Sequence, residues 1–178
     1  MPFAKEKFKS LVHYICWRCQ SDPSKLGAVK LNKILWLSDF ISYHESGQSI
    51  TGARYVRRKF GPVPGDILPA LEELEAEGAL TIRDTTFHGK KKKEYCVHKD
   101  PSTQVFDDTE LELINKVITY ICESHTAKSI SEESHDHIWE SAEDGEEIPY
   151  FTIFAKPGEI DEEDRTWANQ ALEAMSLR

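Results

Sequence analysis

The segment from residue 54 to residue 64 constrains the fold most, because a strand pattern ends within it at a Gly-Pro turn. Over residues 54–60, one face would carry Val56, Arg58 and Phe60 and the other Tyr55, Arg57 and Lys59, which is how a β-strand divides its side chains. Gly61, Pro62 and Pro64 follow directly, and these residues end a strand rather than continue it. A turn is therefore expected at Gly61-Pro62, with Pro62 fixing φ and Gly61 free to adopt a positive φ.

A helix and a β-hairpin are predicted immediately after this turn. The helix is expected over residues 64–77, with Pro64 in its first turn and Gly78 just beyond its end. Its inward face is expected to carry Ile67, Leu68, Leu71 and Leu74. Residues 80–97 then alternate as two strands, whose connecting tip lies near Gly89.

Helical periodicity dominates the rest of the chain. Helices are predicted over residues 4–20, 27–45 and 108–123, with one or two short helices over 126–142 and a last helix from about Asp161. The apolar segment around residues 145–155 is expected to be irregular or extended. The predicted class is mainly α with a small antiparallel β-hairpin (α+β), as one compact domain spanning residues 1–178.

Composition indicates a globular chain. Of its 178 residues, 39% are hydrophobic and 30% are charged, so the chain can bury a core and still present a polar surface. No apolar run approaches membrane-spanning length, and the N-terminal residues lack the order of a signal peptide. We therefore expect a cytoplasmic protein without a membrane partner.

Charge is distributed very unevenly along the chain. Residues 1–106 hold 17 Lys and Arg against 12 Asp and Glu, a net charge of +5. Residues 107–178 hold 5 Lys and Arg against 19 Asp and Glu, a net charge of -14. Such asymmetry indicates opposite faces that meet different partners, halves that attract each other, or simply a solvated acidic surface.

Cysteine and histidine spacing offers two weak metal or redox hypotheses. Cys16 and Cys19 form a C-x-x-C motif, but both lie on the apolar face of the first predicted helix and no second ligand pair follows at zinc spacing. We therefore expect buried core thiols without a bound metal. His135 and His137 form an H-x-H pair with His125 upstream, but no further ligand can be named, and a solvated or structural role is favoured.

No motif for catalysis or cofactor binding is present in the sequence. The chain lacks a G-x-S-x-G nucleophile elbow, a phosphate-binding P-loop and a G-x-G-x-x-G dinucleotide fingerprint. Its carboxylates cluster in acidic runs, and none is singled out as a pair in a dry pocket. We expect neither a catalytic residue nor a cofactor, so an enzyme is the least supported class.

A helix followed by a basic hairpin is also the layout of a winged-helix DNA-binding domain. Lys90–Lys93 at the hairpin tip and the basic residues before Gly61 could contact phosphates. The helix over residues 64–77, however, carries five acidic residues and no Lys or Arg, which is unfavourable in the major groove. A DNA-binding regulator therefore stays an alternative, and specific DNA binding is not expected.

The order of several motifs resembles the SocA-like, or Panacea, antitoxin domain family over residues 8–155. The signature helix of that family is similar to residues 30–39, KLNKILWLSD, and its aromatic-Gly-Pro-aliphatic turn is similar to residues 60–63, FGPV. A leucine-rich helix and a turn into a hairpin follow at Leu71, Leu74, Gly78 and Leu80. In the second half, the matching positions are Ser134, His135, Trp139, Gly145, Ile148 and Pro149.

The resemblance implies a non-catalytic antitoxin of a bacterial or phage toxin–antitoxin system, which binds and neutralises a partner toxin. It also implies a possible AAA+ protease partner, since the SocA branch resembles an adaptor that delivers its toxin for degradation. A protease adaptor or a phage-associated accessory protein is therefore a further alternative. The resemblance does not identify the residues that contact the toxin.

Candidate partner-binding residues are chosen from charge and aromatic content. An interface often centres on a Trp within charged surroundings, although core packing is the more common role for a single Trp. The acidic segment could also steer encounter with a basic toxin. The candidates are Arg57, Arg58, Ile138, Trp139, Glu140 and Glu143.

Overall fold

A computed structural model describes residues 2–87, 89–155 and 166 of the chain. The last helix, predicted from about Asp161, falls almost wholly outside these residues. It therefore stays a prediction.

Three long helices form the centre of the fold. α1 spans Lys5–Arg18, α2 spans Ala28–Ser46 and α4 spans Asp108–Ser124, each within about two residues of its predicted bounds. α2 packs against both α1 and α4, which explains why its apolar residues are spread around several sides. α2 ends at Gly47, which adopts a φ of 74°.

α3 spans Ile67–Ala76 and is shorter than predicted at both ends. Pro64 is not in its first turn but in a short strand, because its backbone pairs with Tyr55. Ile67, Leu71 and Leu74 are buried as expected, whereas Leu68 is 67% exposed. The inward placement of Leu68 was therefore wrong: the helix packs one narrow stripe against α1, and Leu68 lies outside that stripe.

The strand predicted over residues 54–60 is much shorter than expected. Only β1, Tyr55–Val56, is a strand, and it pairs antiparallel with β2, Val63–Pro64. Beyond Val56 the backbone leaves this sheet, because Arg57 bonds to the distant segment around Glu146 and Gly61 closes a turn by donating its N–H to Arg58 O.

The hairpin has the predicted form. β3, Leu80–Phe87, pairs antiparallel with β4, Lys90–Val97, in a continuous register from Leu80 opposite Val97 to Phe87 opposite Lys90. Leu80 and Tyr95 are buried at the base of the hairpin, where β3 packs against α3 and β4 against α1.

The second half of the chain continues in short elements. α5, Ala127–Glu133, and α6, His137–Ser141, confirm the two short helices, and each begins with a side-chain N-cap, Thr126 or Asp136. The segment after Gly145 ends in a 3-10 helix, Tyr150–Phe154. The mainly α (α+β) class is confirmed, with two small antiparallel sheets. None of the helices in the described ranges is both long and apolar enough to cross a membrane.

Candidate protein-binding face

Two segments that are far apart in sequence meet at the edge of β1. The Arg57 N–H donates to Glu146 O at 2.8 Å, and the Gly145 N–H donates to Arg57 O at 2.9 Å. Val56 and Glu147 form an isolated antiparallel bridge. The basic segment after β1 is therefore held against the acidic segment after α6 by backbone hydrogen bonds.

Side chains of opposite charge also pair across these two segments. Arg54 Nε lies 3.1 Å from a carboxylate oxygen of Glu147, and an Arg58 guanidinium nitrogen lies 3.1 Å from a carboxylate oxygen of Asp144. Both pairs are exposed, so each contributes at most about 1 kcal/mol to stability. The charge asymmetry of the sequence is thus partly compensated within the chain, as one of the interpretations expected.

Trp139 lies at the centre of this junction and is half-buried. Its indole Nε1–H donates to Arg58 O at 3.0 Å. The Arg57 guanidinium carbon lies 4.3 Å from the indole centroid, a cation–π geometry. The His135 ring stacks on the same indole at a centroid distance of 3.6 Å and an interplanar angle of 6°. Trp139 therefore joins α6 to the basic segment.

Arg57 is tied down by its backbone and by Trp139, but its side chain keeps unused hydrogen-bonding capacity. Its Nε atom is buried without a hydrogen-bond partner among the described residues. A buried donor without an acceptor costs free energy. The guanidinium is therefore held in place by Trp139 but incompletely satisfied.

A groove of about 350 Å³ lies beside this junction, between α2 and the turn after β1. Phe60, 54% exposed, lies on its rim together with the exposed Arg58 and Lys59. Asn32 also lines it, and the Asn32 Oδ1 atom is buried without a hydrogen-bond partner among the described residues. We call Arg57, Arg58, Phe60, His135 and Trp139, together with this groove, the Arg–Trp face.

Lys33 is a buried residue of α2 that contacts the turn next to the Arg–Trp face. Its side chain is only 1% exposed, and its Nζ donates to Pro62 O at 3.0 Å. Burial lowers the pKa of Lys33 to about 7, and no carboxylate pairs with it among the described residues. Gly61 has a φ of 95°, and a Cβ at this position would overlap Lys33 Nζ and Ser134 Oγ. Gly61 is therefore required both for its positive φ and for its lack of a side chain.

Asp39, one turn and a half further along α2, holds the chain before β1. Its buried carboxylate accepts from the Thr51 N–H at 2.7 Å, from Thr51 Oγ1 at 2.5 Å and from Tyr55 Oη at 2.8 Å. Tyr150 donates to the same carboxylate from the second half of the chain, at 3.4 Å. Burial raises the pKa of Asp39, while these hydrogen bonds oppose that rise. Asp39 thus links α2, β1 and the terminal 3-10 helix.

The structure brings some of the predicted contact residues together and separates others. Arg57, Arg58 and Trp139 meet directly, whereas Ile138 is half-buried against the core. Glu140 and Glu143 are exposed, and neither forms an ion pair with any described residue. Whether these residues contact a partner stays a prediction.

The histidine and cysteine motifs take structural positions. His135 stacks on Trp139, while His137 is exposed at the start of α6. Cys16 and Cys19 are buried on α1 as expected, and Cys19 Sγ lies 3.7 Å from Cys122 Sγ of α4. Within residues 2–87 and 89–155, no cluster of three His, Cys, Asp or Glu side chains is placed to hold a metal ion.

Sequence reasoning missed Asn32, Lys33, Asp39 and Phe60 as parts of this region. A signal was present, because Lys33 and Asp39 are charged residues of a helix whose apolar residues pack on several sides. A charged residue in such a helix must find a buried partner. The partners themselves, Pro62 O for Lys33 and Thr51 for Asp39, lie in loops and could not be inferred from periodicity.

Comparison with known protein families gives one match. The model of the family described as antitoxin SocA-like, Panacea domain, matches residues 31–140, from the start of α2 to α6. Searches of curated proteins and of solved structures found no match. The matched region contains Lys33, Asp39, the Gly61-Pro62 turn and Trp139. Since it spans more than half of the chain, this protein belongs to the SocA-like Panacea domain antitoxin family.

Proposed function

We propose that this protein neutralises a cognate toxin by binding it directly through the Arg–Trp face. The observation that carries the proposal is the family match, which covers Arg57, Arg58, Phe60, His135 and Trp139 of that face. The geometry adds support, because an exposed aromatic residue, a positioned guanidinium and a groove with an unsatisfied amide oxygen lie side by side. Anchors of this kind, a bulky aromatic or Arg beside a pocket, contribute most of the binding free energy at protein interfaces.

The exposed acidic residues near this face predict the charge of the proposed partner. Glu140 and Glu143 are unpaired among the described residues, whereas Arg54 and Arg58 are already matched by acids of this chain. Arg57 and Lys59 form no ion pair with any described residue either, so the unpaired negative charge is local to Glu140 and Glu143. A basic toxin would be attracted to it, and such rim charges act mainly on the rate of encounter.

The proposal is tested by co-expression with the small open reading frame next to this gene. That neighbour alone should arrest growth, and this protein should restore growth and copurify with it. A harmless neighbour, or rescue without a complex, would contradict the proposal.

The role of the Arg–Trp face is tested with two exposed apolar side chains of the same chain. Phe60→Ser should weaken toxin binding by about tenfold or more, the loss expected for an interface anchor. Leu68→Ser is the matched control, because Leu68 is 67% exposed on α3, away from the residues that define the face. Equal binding by both variants would remove Phe60 from the interface.

Delivery of the toxin to an AAA+ protease is a separable second step. The toxin's half-life should then shorten when this protein is present, and the shortening should require the protease. Inhibition by binding alone would leave the toxin's half-life unchanged or longer while growth is still restored.

A further inference from the structure

A second, larger cavity lies at the N-terminus of α2, next to the groove of the Arg–Trp face. Its volume is about 700 Å³, within the range of small-molecule sites. It is formed by the 3-10 helix Pro23–Lys25, the first turn of α2, strand β4 and the start of α5. Its apolar lining includes Leu26, Val29 and Ala127, and its rim is occupied by lysines of the hairpin.

Lys30 is the unusual residue of this cavity. It lines the cavity, yet it is only 8% exposed. Its ammonium forms no hydrogen bond and no ion pair with any described residue. Burial lowers the pKa of Lys30, and the thiolate forms of Cys122 and Cys19 would oppose that shift. A nearly buried cation without a carboxylate partner is costly, and a bound anion would reduce that cost.

The start of α2 favours an anion at the same place. α2 has 19 residues, follows Gly27 without a side-chain cap and carries no acidic residue in its first turn. The amide groups of such a helix end, and its dipole, attract negative charge. Lys30 lies within this first turn, so the helix end and the unpartnered ammonium act on one location.

Several other charged residues around the cavity have partners within the chain. Lys25 pairs with Glu123, and Lys93 pairs with Asp84. Lys92 donates to Ser24 O. Asp84 is the one carboxylate among the cavity-lining residues, and its pairing with Lys93 leaves the balance of the lining positive.

We propose that this cavity binds an amphipathic organic anion, with a carboxylate or phosphate group held by Lys30 and the α2 N-terminus. The apolar body of the ligand would lie against Leu26, Val29 and Ala127. Lys33, Trp139 and Phe60 do not line this cavity, although Ala28 and Val29 line both it and the groove of the Arg–Trp face.

The test compares three probes that share one apolar chain. Octanoate, octyl phosphate and octanol are titrated into the full-length protein, and amide chemical shifts of residues 28–30 are followed by NMR. Either anion should bind at least about tenfold more tightly than octanol, since a hydrogen-bonded charge contributes that much. The tighter of the two anions then identifies the head group. Equal binding of octanol, or no shift at residues 28–30 with millimolar anion, would overturn the proposal.

Two variants test the role of Lys30. Lys30→Met keeps the aliphatic stem and should weaken anion binding by about tenfold or more, while octanol binding stays unchanged. Lys116→Met, on the exposed side of α4, is the matched control and should bind as the parent does.

Val29→Glu covers the case in which Lys30→Met does not fold. It places a carboxylate in the first turn of α2, where the helix tolerates it. That carboxylate should displace the ligand from Lys30 and abolish binding of octanoate. Unchanged octanoate affinity in a folded variant of either kind would contradict the site.

Discussion

At the scale of single residues, the Gly61–Lys33 contact is the tightest constraint around the Arg–Trp face. The φ of 95° at Gly61 strains any other residue, and an added Cβ would overlap Lys33 Nζ and Ser134 Oγ. We therefore expect Gly61→Ala to reduce the free energy of unfolding by about 1–3 kcal/mol. Gly47→Ala is the control: its φ is also positive, but no atom lies within 4 Å of its added Cβ. Equal losses in urea unfolding would show that the φ alone matters and that the overlap does not.

Lys33 also makes stability depend on pH in a defined window. An unfolded Lys keeps its proton to about its ordinary pKa of 10.5, whereas the folded pKa of Lys33 is lowered to about 7 by burial. Between these values the unfolded chain binds more protons, so the free energy of unfolding rises with pH. Relative to Lys33→Met, the parent should gain up to about 1.4 kcal/mol per pH unit from pH 7 towards 9. Urea unfolding of both proteins measures this difference, and parallel pH curves would contradict a charged-to-neutral transition of Lys33 in this range.

At the scale of secondary-structure elements, α3 and the hairpin explain the winged-helix appearance without requiring a DNA partner. Lys9 Nζ of α1 lies 2.9 Å from a carboxylate oxygen of Glu77 and 3.5 Å from one of Glu73. Acidic residues at the end of α3 therefore face the basic residues of α1. Glu75 accepts the Ile82 N–H at 2.8 Å and joins α3 to β3. Three of the five acids that argue against a recognition helix, Glu73, Glu75 and Glu77, thus have partners within the fold.

DNA binding by these elements is expected to be weak and insensitive to sequence. The exposed lysines of the hairpin attract phosphate, but such contacts carry no sequence information and are lost as salt rises. Fluorescence anisotropy with several short duplexes at physiological salt should give similar, weak affinities. A tight complex with one duplex, dissolved by Arg57→Ala, would instead establish the DNA-binding alternative.

At the scale of the whole molecule, one continuous apolar cluster extends from Phe8 of α1 to Ile148 beyond α6. It includes side chains of α1, α2, α3, the hairpin, α4 and α5. We propose on this basis that the chain folds as one cooperative domain. Far-ultraviolet circular dichroism and tryptophan fluorescence should then report the same unfolding midpoint, as two-state behaviour requires. Separate midpoints would divide the chain into independently folding parts.

Local sequence patterns were sufficient for the parts of this protein that depend on neighbours in the chain. The positions of α1, α2 and α4, the hairpin with its tip near Gly89 and the α+β class follow from hydrophobic spacing and from turn residues such as Gly47 and Gly78. The order of motifs was also enough to identify the family, because that order can be read from the sequence without knowing which residues are in contact. The mistakes, at the strand over residues 54–60, at Pro64 and at Leu68, arose where a long-range backbone pairing or a narrow packing stripe overrode the local pattern.

Only the tertiary structure decided which distant residues meet. The pairing of Arg57 with Trp139, the burial of Lys33 under the Gly61-Pro62 turn and the unpartnered Lys30 in its cavity join segments separated by many residues. Periodicity records which side of an element is apolar, but it does not record which loop covers that side. A charged residue in α2 therefore predicts that its side chain has a polar contact. Only the fold determines whether that contact is a carbonyl, as for Lys33, or an open site for an anion, as proposed for Lys30.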